Sequence, residues 1–84
     1  MAQPEKVFRI GLVSASVFRN EVSASEGDEK RSVRAVALQR RYKDGEEWRT
    51  STSFGLADLP NAVRVLELAL QHVESQEAEV QLPR

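Results

Sequence analysis

Asp44-Gly45 stands between two runs of strand-forming residues and limits this chain more than any other feature. The runs, 31–42 and 46–54, mix Val, Ala, Leu, Thr and Phe with polar residues at the two-residue period of a half-buried strand. An Asp-Gly between such runs folds them into an antiparallel hairpin. Lys43-Asp44-Gly45 suits a three-residue loop, a type I turn with Gly45 in the left-handed position. In that register Tyr42 faces Glu46, and Arg40 faces Trp48. Arg34, Val36, Leu38, Arg40, Tyr42, Trp48, Thr50, Thr52 and Phe54 then share one face, with Arg41 and Arg49 on the other. A two-residue loop would pair Trp48 with Arg41 and separate the large apolar residues, because a slip of one residue inverts every side chain.

Upstream, residues 7–22 are rich in Val, Ile and Phe and read as one long strand. Gly11 marks a bulge or bend in it, since glycine weakens a strand interior. Ser23 to Glu29 is small, polar and acidic and reads as a mobile loop between antiparallel strands. Downstream, Asp58 can cap a helix whose first turn holds Pro60, where a missing N–H is harmless. Leu59, Val63, Leu66, Leu70 and Val73 follow helical spacing, with Ala62 and Ala69 beside them. Val65 and Leu68 widen that apolar arc beyond what one small sheet needs, so the helix should touch a second surface. From Glu74 the chain turns acidic and polar. Fraying is expected there, with order over about 6–76 and a mobile tail over 77–84.

The expected fold is a single α+β domain in the order β-β-β-α. It is an antiparallel three-stranded sheet followed by one C-terminal helix, with four strands if Gly11 or Ser14-Ala15-Ser16 splits the first. Three strands span about 14 Å and one helix covers about 10 Å, so the helix shields one face only. The opposite face must meet a second subunit, bind a ligand or stay wet. A chain of 84 residues with no cysteine has no disulfide or thiolate–metal staple. A homodimer, joined edge to edge or through the helices, is the structural expectation.

The net charge of −1 hides an asymmetry. Lys30 to Lys43 holds six basic residues and no acid, whereas residues 57–84 carry five acids against two bases. A polyanion would therefore bind one face, away from the acidic end. Nothing resembles a transmembrane run or a signal peptide, which points to a cytoplasmic protein. Catalysis finds little material. His72 is the only histidine and reads as a helix-surface or packing residue, no cysteine nucleophile exists, and carboxylates at a solvated hairpin tip keep ordinary acidity. No enzyme, cofactor or metal is expected, one histidine being too few ligands.

Binding has better candidates. Arginine and lysine contact phosphates, and aromatic faces stack unpaired bases. The nucleic-acid-binding candidates are Arg9, Arg19, Arg34, Arg40, Arg41, Tyr42, Lys43, Trp48 and Arg49, with Lys30 and Arg31 extending the stripe and Phe18 a further stacking face. The competing structural roles are a Tyr42–Trp48 packing pair, a contact of Arg40 with Trp48 and surface pairs of Arg41 and Arg49 with Glu46 and Glu47. The leading expectation is a non-catalytic binder of single-stranded DNA or RNA. The alternative is a protein-interaction or scaffold module, marked by a bare apolar face and scattered, paired arginines.

Two segments carry a resemblance: the hairpin Arg41-Tyr42-Lys43-Asp44-Gly45-Glu46-Glu47-Trp48 and the stretch Ser53-Phe54-Gly55-Leu56-Ala57-Asp58-Leu59-Pro60. With the order of elements over 6–76, they resemble the small single-stranded-nucleic-acid-binding domains of the Whirly, Pur-alpha and transcriptional positive-cofactor type. They also resemble small prokaryotic proteins with a Tyr-Lys-Asp…Gly…Trp hairpin before an Asp-Leu-Pro helix start. The resemblance implies a curved antiparallel sheet followed by a helix, and a single-stranded ligand.

Overall fold

Two glycines turn the chain into a meander. Gly11 (φ 62°) and Gly45 (φ 66°) are the residues with positive φ among those described. Each opens a two-residue turn, Gly11-Leu12 between Ile10 and Val13 and Gly45-Glu46 between Asp44 and Glu47. Glycine at the first central position with a negative φ at the second is the pattern of a type II′ turn, whose twist suits a hairpin. The computed structural model describes residues 3–23 and 30–77, without the side chains of 22, 23, 30 and 31. Except for Ser23 and Glu77, the loop expected over Ser23–Glu29 and the tail expected over 77–84 lie outside the described residues, as do the side chains of Lys30 and Arg31.

The strands are β1 (Lys6–Ile10), β2 (Val13–Ser23), β3 (Lys30–Asp44) and β4 (Glu47–Ser51), followed by α1 (Leu59–Glu77). They form one antiparallel sheet in sequence order, β1-β2-β3-β4. The single strand expected over 7–22 is two strands, because Gly11 reverses the chain where it was read as a bend. The fold is therefore α+β with four strands and a C-terminal helix. The helix continues to Glu77.

The register of the second hairpin also departs from expectation. Asp44 pairs with Glu47, Lys43 with Trp48, Tyr42 with Arg49, and Arg41 with Thr50. The three-residue loop would have needed Gly45 third; it stands first of two. The pairing moves by an odd number of residues, so all of β4 changes face. Trp48 leaves the face of Arg40 and Tyr42 and joins Arg41. Arg49 makes the opposite move.

The covered face is the one that carries Val36 and Leu38 on β3. Its β2 partners Val13, Ala15 and Val17 are fully buried, under Ala62, Val65 and Ala69 of α1. Small residues on both sides let helix and sheet approach closely, with Phe8, Ile10, Leu38, Phe54 and Val73 packed around them. The stripe expected to be the helix's core face, Leu59, Val63, Leu66 and Leu70, is exposed. The alanine-rich stripe beside it is the one that docks, because a flat sheet admits a helix more closely on Ala and Val than on Leu.

The helix entry is set by a small ring of contacts. Asp58 N–H donates to Gly55 O (2.9 Å), and Gly55 N–H donates to Asp58 Oδ2 (3.3 Å). The Asp58 carboxylate thus reaches backward instead of onto the helix's free N–H groups. It still places negative charge at the positive end of α1.

Candidate functional site

Strand alternation sorts the nine candidates onto two faces. Arg19, Arg34, Arg40, Tyr42 and Arg49 share the covered face, while Arg9, Arg41, Lys43 and Trp48 share the open one. The sequence offers no hint of this split beyond parity, and parity depends on the two turns.

On the covered side each arginine has acidic company. Arg34 binds both Glu5 oxygens, Nε to Oε2 at 2.9 Å and the second bond to Oε1 at 3.1 Å. Its backbone N–H donates to Glu77 Oε2 at 2.6 Å, and its side chain is only 8% exposed. His72 Nε2 lies 2.7 Å from Glu5 Oε2 and edge-on to Phe8, so it is a packing residue. The Arg34 and His72 hydrogen bonds hold the Glu5 carboxyl at about 2, well below its ordinary 4.5. The Glu5 hydrogen bond raises the Arg34 pKa in turn. Arg40 donates to Ser53 O (2.9 Å), sits 3.5 Å from Asp58 and lies over the Tyr42 ring. Arg49 pairs with Asp44 and Glu47, and Arg19 with Glu21 and Ser32. Arg34 and Arg40 tie separate segments of the molecule together, whereas Arg19 and Arg49 make half-exposed pairs within the sheet. The Glu5–Arg34–His72–Glu77 group joins residues far apart in the chain, and local sequence spacing gives no signal of it.

The open face is built differently. Lys43 stands opposite Trp48 on β4 and Arg41 lies diagonal to it. The Arg41 guanidinium carbon is 4.8 Å from the indole centroid and Lys43 Nζ is 5.5 Å from it. Two cations therefore share one aromatic ring, each contact worth about 0.5–1 kcal/mol at an exposed site. Trp48 remains 49% exposed. Arg9, on β1, falls in the row of Ser14 and Gln39, the row next to Arg41. Successive open-face rows are about 7 Å apart. Arg41 and Lys43 thus follow one another along β3, with Trp48 and Thr50 alongside on β4, and Arg9 stands one row further and two strands away. None of the three cations has a salt bridge to a described residue. The described strand positions of this face hold no acid.

Beyond these cations the floor mixes small residues, Ser14 and Ser16 on β2 and Ala35 and Ala37 on β3, with the exposed Val7 and Val33. Phe18, paired with Ala35, is half-buried at its far end. About eight residues of strand, roughly 26 Å, separate its row from that of Trp48. Among the described residues no group of His, Cys, Asp and Glu is placed to hold a metal, and no helix is long and apolar enough to cross a membrane.

Compared with known proteins, the chain matches no family model, no curated protein and no solved structure.

Proposed function

We propose that this protein binds single-stranded DNA or RNA, without catalysis, along its open sheet face. The observation that carries this reading is the cluster of Arg41 and Lys43 against the half-exposed Trp48, on a face whose described strand positions hold no acid. A base stacks on the exposed part of the indole, worth roughly 1–3 kcal/mol. The cations beside the ring stand where a stacked nucleotide carries its phosphate. Arg41 and Lys43 stand about 7 Å apart along β3, close to the stride of an extended single strand, and Arg9 lies about 12 Å from Arg41 across two strands. Contacts of this kind read backbone and base faces, not sequence.

Trp48 is the only tryptophan, so its emission reports on this site alone. Titration with oligo-dT, and with the matching RNA, should quench that emission. The association constant should fall linearly on a log–log plot against salt. Absence of binding at low salt with tens of micromolar oligonucleotide would overturn the reading. The alternative of a protein-interaction module is marked by scattered, paired arginines beside a bare apolar surface. Both are present on the helix side of the molecule, where Arg19, Arg34, Arg40 and Arg49 are paired and α1 exposes Leu59, Val63, Leu66 and Leu70.

A further inference from the structure

One stretch of β3 has an open edge. Along an antiparallel strand, alternate residues turn their N–H and C=O to opposite edges. Arg41 N–H donates to Leu12 O at 2.8 Å, so the odd residues of β3 serve β2 and the even ones face away from it. β4 takes that outer edge from Arg40 to Asp44 only. Further back on the same edge, Arg34 N–H donates to Glu77 Oε2 at 2.6 Å. Val36 and Leu38 stand between these two places, and no strand among the described residues lies beside them.

At this edge a groove of about 350 Å³ opens between sheet and helix, lined by Arg34, Val36, Leu66, Ala69, Leu70 and Val73. Val36, Leu66 and Leu70 are 39%, 41% and 56% exposed. A short strand added outside Val36 and Leu38 would satisfy their N–H and C=O groups and send alternate side chains into the groove.

We infer that residues 78–84 of this chain, outside the described residues, take that position: they fold back after α1 to run beside Val36 and Leu38, with Val80 and Leu82 in the groove. The path of the chain selects them. α1 begins with Asn61 against Gly11 and ends with Glu77 at the edge of β3. The helix therefore runs opposite to β3, and a chain that reverses after Glu77 runs along the free edge, parallel to β3. Length and pattern agree with this. Seven extended residues reach about 23 Å, enough for the reversal and for the ~13 Å from Arg34 to Leu38. Val80 and Leu82 alternate with Glu79 and Gln81, the period of a strand with one apolar side. Pro83, which cannot donate to a ladder, follows them.

The slot also excludes a longer occupant. Glu77 stands at one end of it, and at the other the chain leaves β4, where Ser53 O accepts from Arg40 Nε. β3 of a second copy, 15 residues long, would run into one or the other. The added strand shields an edge that could otherwise pair with other chains. Its side chains enter the helix side of the sheet, so the inference does not depend on the nucleic-acid reading.

Amide hydrogen exchange on the full chain, resolved by residue with NMR, tests this. The Val36 and Leu38 amides should exchange slowly, like those of Ala35 and Ala37, which face β2. Val80→Asp with Leu82→Asp should speed exchange at Val36 and Leu38 by about tenfold or more and leave Ala35 and Ala37 unchanged. Methyl–methyl NOEs from Val80 or Leu82 to Leu66 or Leu70 should be present in the wild type and absent from the variant. Fast exchange at Val36 and Leu38 in the wild type overturns the inference. Slow exchange that the double variant leaves unchanged overturns it too, since something other than this segment then covers the edge. Slow exchange that appears only at high protein concentration assigns the edge to a second copy and is equally fatal.

Discussion

The two sides of β3 carry similar residues to opposite ends. On the covered side, Arg34 and Arg40 are each held by an acid and by a backbone or ring contact, and they tie the N-terminal segment and the helix entry to the sheet. On the open side, Arg41 and Lys43 lean on an indole and face no acid among the described residues. A guanidinium with a carboxylate on both flanks has little left to offer a phosphate. One that rests on an aromatic ring keeps most of its hydrogen-bonding capacity. Adjacent positions in one strand thus differ in role because the pleat sends them to different surroundings.

The largest effect that would break this comparison comes from placing the same charge on each side. Val65→Asp puts an unpaired carboxylate into a fully buried site and should cost more than about 4 kcal/mol, enough to abolish the folded circular dichroism spectrum. Thr50→Asp, on the open face, should shift stability by no more than about 0.5 kcal/mol, yet oligonucleotide binding should fall sharply. If Thr50→Asp binds as well as wild type, the open face is not the ligand face.

Next in size is Trp48→Ala. Loss of one stacking platform should weaken single-strand binding by about 1–3 kcal/mol, read by anisotropy of a labelled oligonucleotide. The fold should lose about 1 kcal/mol or less, since a half-exposed cross-strand pair contributes little. Unfolding of the variant would make Trp48 a structural residue and remove its stacking role.

A finer contrast pits Arg41→Ala against Arg40→Ala. Arg41→Ala should lower the salt slope of binding by about 0.7, one released counterion on a single strand. Arg40→Ala should leave the slope unchanged and lower the melting temperature, because its partners are Ser53 and Asp58. Equal slopes for both variants would erase the difference between the faces.

The smallest effect concerns acid. Glu5 is held at about 2 against an ordinary 4.5, so it favours folding above pH 4.5. That contribution should fade as the pH drops from 4.5 towards 2, and Glu5→Gln should flatten the stability profile over that window. Binding at neutral pH should not change in Glu5→Gln, since the residue belongs to the covered side.

The second hairpin teaches why its site was only half legible. Alternation in 31–42 and 46–54 and the intervening Asp-Gly gave the hairpin, but Gly45 serves a three-residue loop as readily as a two-residue turn. The choice moves β4 by an odd step, and Trp48 changes sides with it. The nine candidates included Arg9, Arg41, Lys43 and Trp48 of the open face, together with five on the covered side. Gly11 posed the same question in β1: a bend and a turn both use glycine, and only pairing with Val13 onward decided it.

By itself the sequence determined the kinds of element and their order. Period-two runs, an Asp-Gly, and an Asp-x-Pro before a period-3.6 run are local signals set by steric and hydrogen-bonding rules within a few residues. The tertiary structure alone decided which stripe of α1 meets the sheet and which cations stand free. Both depend on how closely two surfaces approach and on which distant side chains they bring together. Ala62, Val65 and Ala69 outcompete the leucines for the sheet, and Glu5 and Glu77 converge on Arg34 from opposite ends of the chain, with His72 on Glu5. The physical reason is one of range: backbone preference acts between neighbours, whereas packing and charge pairing act only after the chain has folded back on itself.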